Sequence, residues 1–170
     1  EYKLSVDGKS GIDELNPQKI DNGVGSENSI FAMSGYKPTE WANWQGMTKA
    51  AIVSERIGDR EVSVYVPDGL NDRALPVLYL NDGSDYAKRG EAIAIQRNLV
   101  KAGKVKPFII VFLDPKDRTK EYWASDEYAK FVAEDVVSVI DAKYNTIRTR
   151  DARAVLGASL GGVTSFWIGL

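Results

Sequence analysis

The stretch "VLGASLGG", residues 155–162, sets one serine among three glycines directly after a short apolar run. Ser159 has two readings there. In the first, Gly157 to Gly161 is the G-x-S-x-G turn between a strand and a helix, where a strained backbone projects the serine hydroxyl above the sheet. Gly157, Gly161 and Gly162 are then small because strand and helix must approach closely at that point. In the second reading the segment is a glycine-rich turn with an incidental serine. The flanks favour the first, since "RAVL" reads as a strand and the residues after Ser159 as the start of a helix. The backbone N–H of Leu160, at that helix start, is the natural donor for an oxyanion developing on a carbonyl attacked by Ser159.

Upstream of the serine the chain alternates between two textures. "LPVLYLND" (75–82) and "PFIIVFLD" (107–114) are continuous apolar runs, as expected of strands covered on both faces. Between them "EAIAIQRNLVKAG" carries apolar residues at helical spacing and stops at Gly103, a glycine C-cap. A long helix is predicted from about Asp126 to Tyr144, with Tyr128, Phe131, Val132, Val136, Val139 and Ile140 on one face. "KAAIVSERI" and "REVSVYVP", joined through Gly58 and Asp59, read as an antiparallel hairpin. This order predicts an α/β fold: a mostly parallel sheet with helices on both faces, entered through a hairpin. The end of the 75–82 strand passes into the turn "NDGSD", and the Ser84 N–H is the candidate second oxyanion donor, with an ordinary Asp-Gly turn as the alternative.

Residues 1–48 are rich in Gly, Asn, Ser and Asp and show no sustained period, so they are expected to form an irregular arm ahead of a domain at 49–170. Trp41 and Trp44 would pin that arm or offer a stacking platform.

Composition narrows the chemistry. The 170 residues hold 22 basic and 24 acidic side chains, a net charge of -2, which gives no electrostatic grip on nucleic acid or anionic lipid. No apolar run is long enough for a membrane span. There is no cysteine and no histidine, so thiolate metal sites and the commonest metal ligand and general base are excluded; no metal or organic cofactor is expected. The absence of cysteine suits an oxidising compartment. The chain opens on Glu1 rather than Met, as a removed export signal or a cut boundary would leave it, and a periplasmic or secreted location is the expectation, with a cytoplasmic one as the alternative.

The blocks "REVSVYVPDG", "LPVLYLNDG", "KPFIIVFLDPKDRTKEY", "YAKFVAEDVVSVIDAKYNT" and "RAVLGASLGG" resemble, in order and spacing, the enterochelin-esterase-like branch of the esterase-D superfamily of α/β-hydrolases. The resemblance covers residues 50–170. It implies that Ser159 is a nucleophile, that Leu160 N–H and a donor near Ser84 form the oxyanion hole, and that Arg118, Glu121 and Tyr122 of "DRTKEY" line the rim, with Asp82 in the adjacent turn. An Arg118–Glu121 ion pair that only shapes the loop is the competing reading of that block.

The same resemblance places the catalytic acid and histidine beyond Leu170, so the chain is expected to be truncated after the nucleophile helix. A longer parent, a second chain completing the fold, and self-association through an open sheet edge are the corresponding expectations. The function implied is hydrolysis of a small-molecule or polysaccharide-linked ester through an acyl-enzyme, the substrate being a siderophore trilactone or a feruloyl or acetyl ester. A non-catalytic binding module and an acyltransferase are the alternatives.

Overall fold

The structure is a computed structural model and describes residues 1–23, 25–43 and 51–170. It divides into two compact units, Glu1–Thr39 and Glu40–Leu170. Trp44 and the expected boundary at residue 48 lie outside the described residues.

The first unit is more regular than its composition suggests. β1 (Leu4–Val6) pairs antiparallel with β2 (Lys9–Gly11), and β3 (Lys19–Asp21) with β4 (Glu27–Ser29). The β1–β2 turn is Asp7-Gly8, both at positive φ, the backbone a two-residue hairpin requires. Three-residue strands are too short to display alternation, so the sequence pattern reads them as loop. The hairpins are stitched by Tyr2 and Ser29, which exchange backbone hydrogen bonds at 2.8 and 3.0 Å. The Tyr2 hydroxyl donates to Asp13 at 2.7 Å, and the Asn16 side chain donates to the Ile30 carbonyl at 2.7 Å.

The second unit is built on a five-stranded sheet of order β5–β6–β8–β7–β9. β5 (Ile52–Ile57) and β6 (Arg60–Tyr65) form the expected hairpin, with Gly58 at φ 60° in its two-residue turn. β6 runs antiparallel to β8 (Ile109–Leu113), whereas β7 (Val77–Asn81) is parallel to both β8 and β9 (Arg153–Leu156). The sheet is therefore mixed, parallel where strand–helix–strand crossovers connect it. β8 shows why its sequence is apolar throughout: all five of its residues are buried. Ile109, Val111 and Leu113 face the helix that follows Ser125, while Ile110 and Phe112 face Ile93 of α2 (Ala92–Lys101). α1 (Gly83–Lys88) precedes α2. α2 ends in a Schellman motif, with Gly103 at φ 68° and Lys104 N–H donating to the Leu99 carbonyl at 2.9 Å. Trp41 is held on this helix: Asn98 donates to its carbonyl at 2.7 Å and the Lys104 ammonium lies 5.1 Å from its ring centre.

α3 (Arg118–Tyr122) and the long helix cover the other face. That helix runs as α4 (Asp126–Lys130), a wider π-helical stretch over Phe131–Val136, and α5 (Val137–Lys143). Ser125 caps it, accepting from Tyr128 N–H at 3.2 Å. Its buried residues Tyr128, Val132, Val136 and Ile140 recur every four positions. A helix of 3.6 residues per turn would rotate that row away from the sheet, and the wider turns hold it in place.

α6 (Leu160–Gly169) follows β9. β5 and β9 are the outer strands of the sheet, and Leu156 on β9 is 41% exposed. Among the described residues no helix is long and apolar enough to cross a membrane.

Candidate active site

β9 delivers the chain to Ser159, whose backbone sits at φ 55° and ψ −124°. Residues with a β-carbon rarely adopt this conformation, so it costs free energy that the surroundings must offset. Ser159 is exposed and is the N-cap of α6, its carbonyl accepting from the N–H groups of Gly162 and Val163 at 2.9 and 3.1 Å. Leu160 opens the helix and packs its side chain against the main core, leaving its N–H at the positive end of the helix dipole.

The glycines are spatial requirements. A β-carbon on Gly157 would stand 2.4 Å from the Gly161 carbonyl oxygen, and one on Gly162 would stand 3.3 Å from the Gly157 carbonyl oxygen. A β-carbon on Gly161 would meet Asp82 Oδ2 at 3.0 Å. The same holds across the sheet at the "NDG" turn. There Asp82, not Gly83, takes the left-handed conformation, at φ 56° and ψ 45°. Gly83 is needed for room instead, because a β-carbon on it would lie 2.5 Å from the Leu113 nitrogen.

Asp82 is the point where the expected rim residues meet. Its carboxylate accepts two hydrogen bonds from the Arg118 guanidinium, at 2.8 and 2.9 Å, and its N–H donates to the Tyr122 hydroxyl at 2.8 Å. Arg118 and Tyr122 are four apart on α3 and so share a face, with the guanidinium 5.4 Å from the Tyr122 ring centre. The Asp82 bonds hold the Arg118 guanidinium above its ordinary pKa. Tyr122 is fully buried rather than on the rim, and burial pushes its hydroxyl pKa well up, so it is a neutral phenol under the turn.

Glu121 points elsewhere. It takes a bidentate pair from Arg60 at 2.7 and 3.0 Å and accepts from Lys116 N–H at 3.1 Å, which ties the loop to the β5–β6 turn. Arg60 also lies 4.7 Å from the Phe131 ring centre. The Arg118–Glu121 pair considered from the sequence is thus replaced by Arg118–Asp82 and Arg60–Glu121. These partners stand 36 and 61 residues apart, beyond the reach of local spacing.

Ser84 differs from its expectation. Its N–H donates to Asp114 Oδ1 at 3.0 Å, so in this structure that amide caps the end of β8 and is not open to an oxyanion.

Asn81 carries no motif, yet it is completely buried at the end of β7. Its Oδ1 accepts from the Tyr128 hydroxyl at 3.0 Å and its Nδ2 donates to Ser165 Oγ at 3.0 Å. Ser165 Oγ in turn donates to the Gly161 carbonyl at 2.6 Å. The sequence signal is one polar residue ending the apolar run "VLYL". Among the described residues no group of three or more Asp or Glu is placed to hold a metal ion.

A strained serine between a parallel strand and a helix, with glycines clearing the space around it, is the arrangement of α/β-hydrolase-type esterases. Residues 54–170 match the Esterase family, described as "Putative esterase", and the chain belongs to that family. It is 30% identical over 138 residues to an endo-1,4-β-xylanase/feruloyl esterase of Xylanibacter ruminicola, covering 71% of this chain and 19% of that protein. The fold matches the enterobactin esterase of Shigella flexneri, solved in the presence of enterobactin, with a TM-score of 0.74 at 20% identity, over 95% of this chain and 44% of that one. It also matches a ferulic acid esterase of Anaeromyces mucronatus with a TM-score of 0.64 at 23% identity, over 78% of this chain and 59% of that one. The chain thus spans about a fifth of that curated relative and about half of these solved structures.

Proposed function

We propose that Ser159 is the nucleophile of a serine carboxylic-ester hydrolase. The observation that carries this reading is the Ser159 backbone at φ 55° and ψ −124°, a strained conformation at the mouth of a helix in a chain of the esterase family. Ser159 Oγ attacks the ester carbonyl carbon, the carbonyl π electrons move to oxygen, and the Leu160 N–H donates to that oxyanion. Collapse expels the alcohol and leaves an acyl-enzyme, which water cleaves to release the acid.

On this reading the Ser159 proton passes to a general base, a role that histidine fills in the Ser-Asp/Glu-His pattern and that no histidine of these 170 residues can fill. Arg118 holds the Asp82 carboxylate, which lies against Gly161 two residues from the serine, and the Tyr122 hydroxyl accepts from the Asp82 N–H. Asp114 must release the Ser84 N–H before that amide can act as second oxyanion donor. The substrates are esters of the kinds named for the relatives, a siderophore lactone or a feruloyl ester of plant polysaccharide.

The test is fluorophosphonate labelling of the natural full-length protein with peptide mapping, alongside a Ser159→Ala variant and an ester-hydrolysis assay. One adduct on Ser159, absent in the variant together with the activity, is the expected result. Hydrolysis that survives Ser159→Ala would overturn the assignment.

A further inference from the structure

We infer that Asn81 is a positioning residue for the elbow, the strand-to-helix turn Gly157–Gly161 that carries Ser159, setting through Ser165 where the first turn of α6 sits and hence where Ser159 is held. The argument starts from an oddity of β7. Every other side chain in "VLYLN" is apolar or aromatic, and its last residue is an amide at 0% exposure. A buried amide is costly unless its hydrogen bonds are made, and an apolar residue would fill the same place without that cost. Its value is geometric, because hydrogen bonds have a fixed length and direction where apolar contact slides.

The bonds of Asn81 run to two different elements. On one side the Tyr128 hydroxyl donates to Oδ1 at 3.0 Å, from a helix whose buried face is anchored across the sheet. On the other side Nδ2 donates to Ser165 Oγ at 3.0 Å, and that hydroxyl donates in turn to the Gly161 carbonyl at 2.6 Å. Gly161 is two residues from Ser159 and is also the glycine against which Asp82 packs. The Tyr128–Asn81–Ser165–Gly161 chain therefore links the long helix, the end of β7 and the first turn of α6.

Two strained residues flank this chain: Asp82, next to Asn81, and Ser159. Such conformations persist only where neighbouring contacts over-determine them, and the Asn81 chain supplies one of those contacts. Ser165 is the weaker link to test, since a mid-helix serine bonded to the carbonyl four residues back gains nothing for helix stability on its own.

The experiment uses the natural full-length protein with Ser165→Ala, Ser165→Thr, Asn81→Leu and Tyr128→Phe. Amide hydrogen exchange is read at residues 157–163 against β8, and the fluorophosphonate reaction is split into reagent affinity and maximal rate. Loss of one such hydrogen bond is expected to raise exchange at the elbow about tenfold in Ser165→Ala, with β8 unchanged. The maximal labelling rate falls by a similar factor, reagent affinity is retained, and Ser165→Thr, which keeps the hydroxyl, restores both. The rate arm rests on Ser159 being the nucleophile, whereas the exchange arm does not. If the wild type takes no label on Ser159, that reading fails and exchange alone decides the positioning role. Unchanged exchange at 157–163 in Ser165→Ala overturns the inference, whether or not Asn81→Leu folds.

Discussion

The Gly161 carbonyl oxygen stands 2.4 Å from the point a β-carbon on Gly157 would occupy, so strand end and helix start touch through backbone alone. Gly157→Ala forces them apart and is expected to destabilise the protein by about 1–3 kcal/mol or more, as overpacking does. Gly169→Ala, at the far end of the same helix with nothing within 4 Å, is expected to be neutral or to stabilise by up to about 1 kcal/mol. Urea unfolding of the two variants side by side checks the contrast.

Strain at Ser159 has an opposite sign of its own. Ser159→Gly removes the β-carbon that makes the backbone costly and is expected to raise stability by about 1–3 kcal/mol. Ser159→Ala removes the hydroxyl but keeps the β-carbon, and should leave stability close to wild type. Thermal melts that rank alanine at or above glycine would refute the strain.

Arg118 and Asp82 form a forked pair whose side chains are 42% and 18% exposed. Partly exposed pairs contribute little to stability, and a double-mutant cycle with Arg118→Gln and Asp82→Asn is expected to give a coupling of about 0.5–1 kcal/mol in unfolding. In ester hydrolysis by the full-length protein the same cycle is expected to show larger coupling, because displacing Asp82 disturbs the Gly161 turn. Equal coupling in the two measurements would confine the pair to a structural role.

Glu55 on β5 pairs with Lys143 and accepts from the Tyr144 hydroxyl at 2.7 Å. The Lys143 partner, and then Tyr144, hold its carboxyl below the ordinary 4.5. A depressed folded-state pKa means the charged form favours folding. The contribution is complete above about 4.5 and is lost as pH falls through the lower folded value. Glu55→Gln keeps the acceptor for Tyr144 and removes only the charge. Its stability deficit against wild type should be largest near neutrality and close at low pH, a trend that denaturation at several pH values would reveal.

What could be read in the sequence was what is local. The runs at 75–82 and 107–114, the hairpin through Gly58 and the elbow at Ser159 announce themselves within ten residues, because their periods and turn residues are set by backbone geometry. Gly83 and Asp82 exchanged the roles a turn motif assigns them, since the choice depended on how near Leu113 passes. Glu121 found Arg60 rather than Arg118, and Ser84 found Asp114, because the sheet order brings distant strand ends together. Asn81 is not legible in the sequence, because a single amide at the end of an apolar run has meaning only once Tyr128 and Ser165 arrive beside it. The hairpins of Glu1–Thr39 were hidden by their brevity.

The π-helical stretch at Phe131–Val136 holds more chain than an α-helix would need to travel the same path. It is stored slack. Removing one of the exposed residues Ala133, Glu134 or Asp135 would let the turns tighten to α geometry while Tyr128 stays opposite Asn81 and Ile140 stays in the core. A deletion elsewhere in the helix would instead rotate one end against the other. The long helix can thus shed a residue at its middle without losing its hold on the sheet, and the spare length lies one turn from the tyrosine that bonds Asn81.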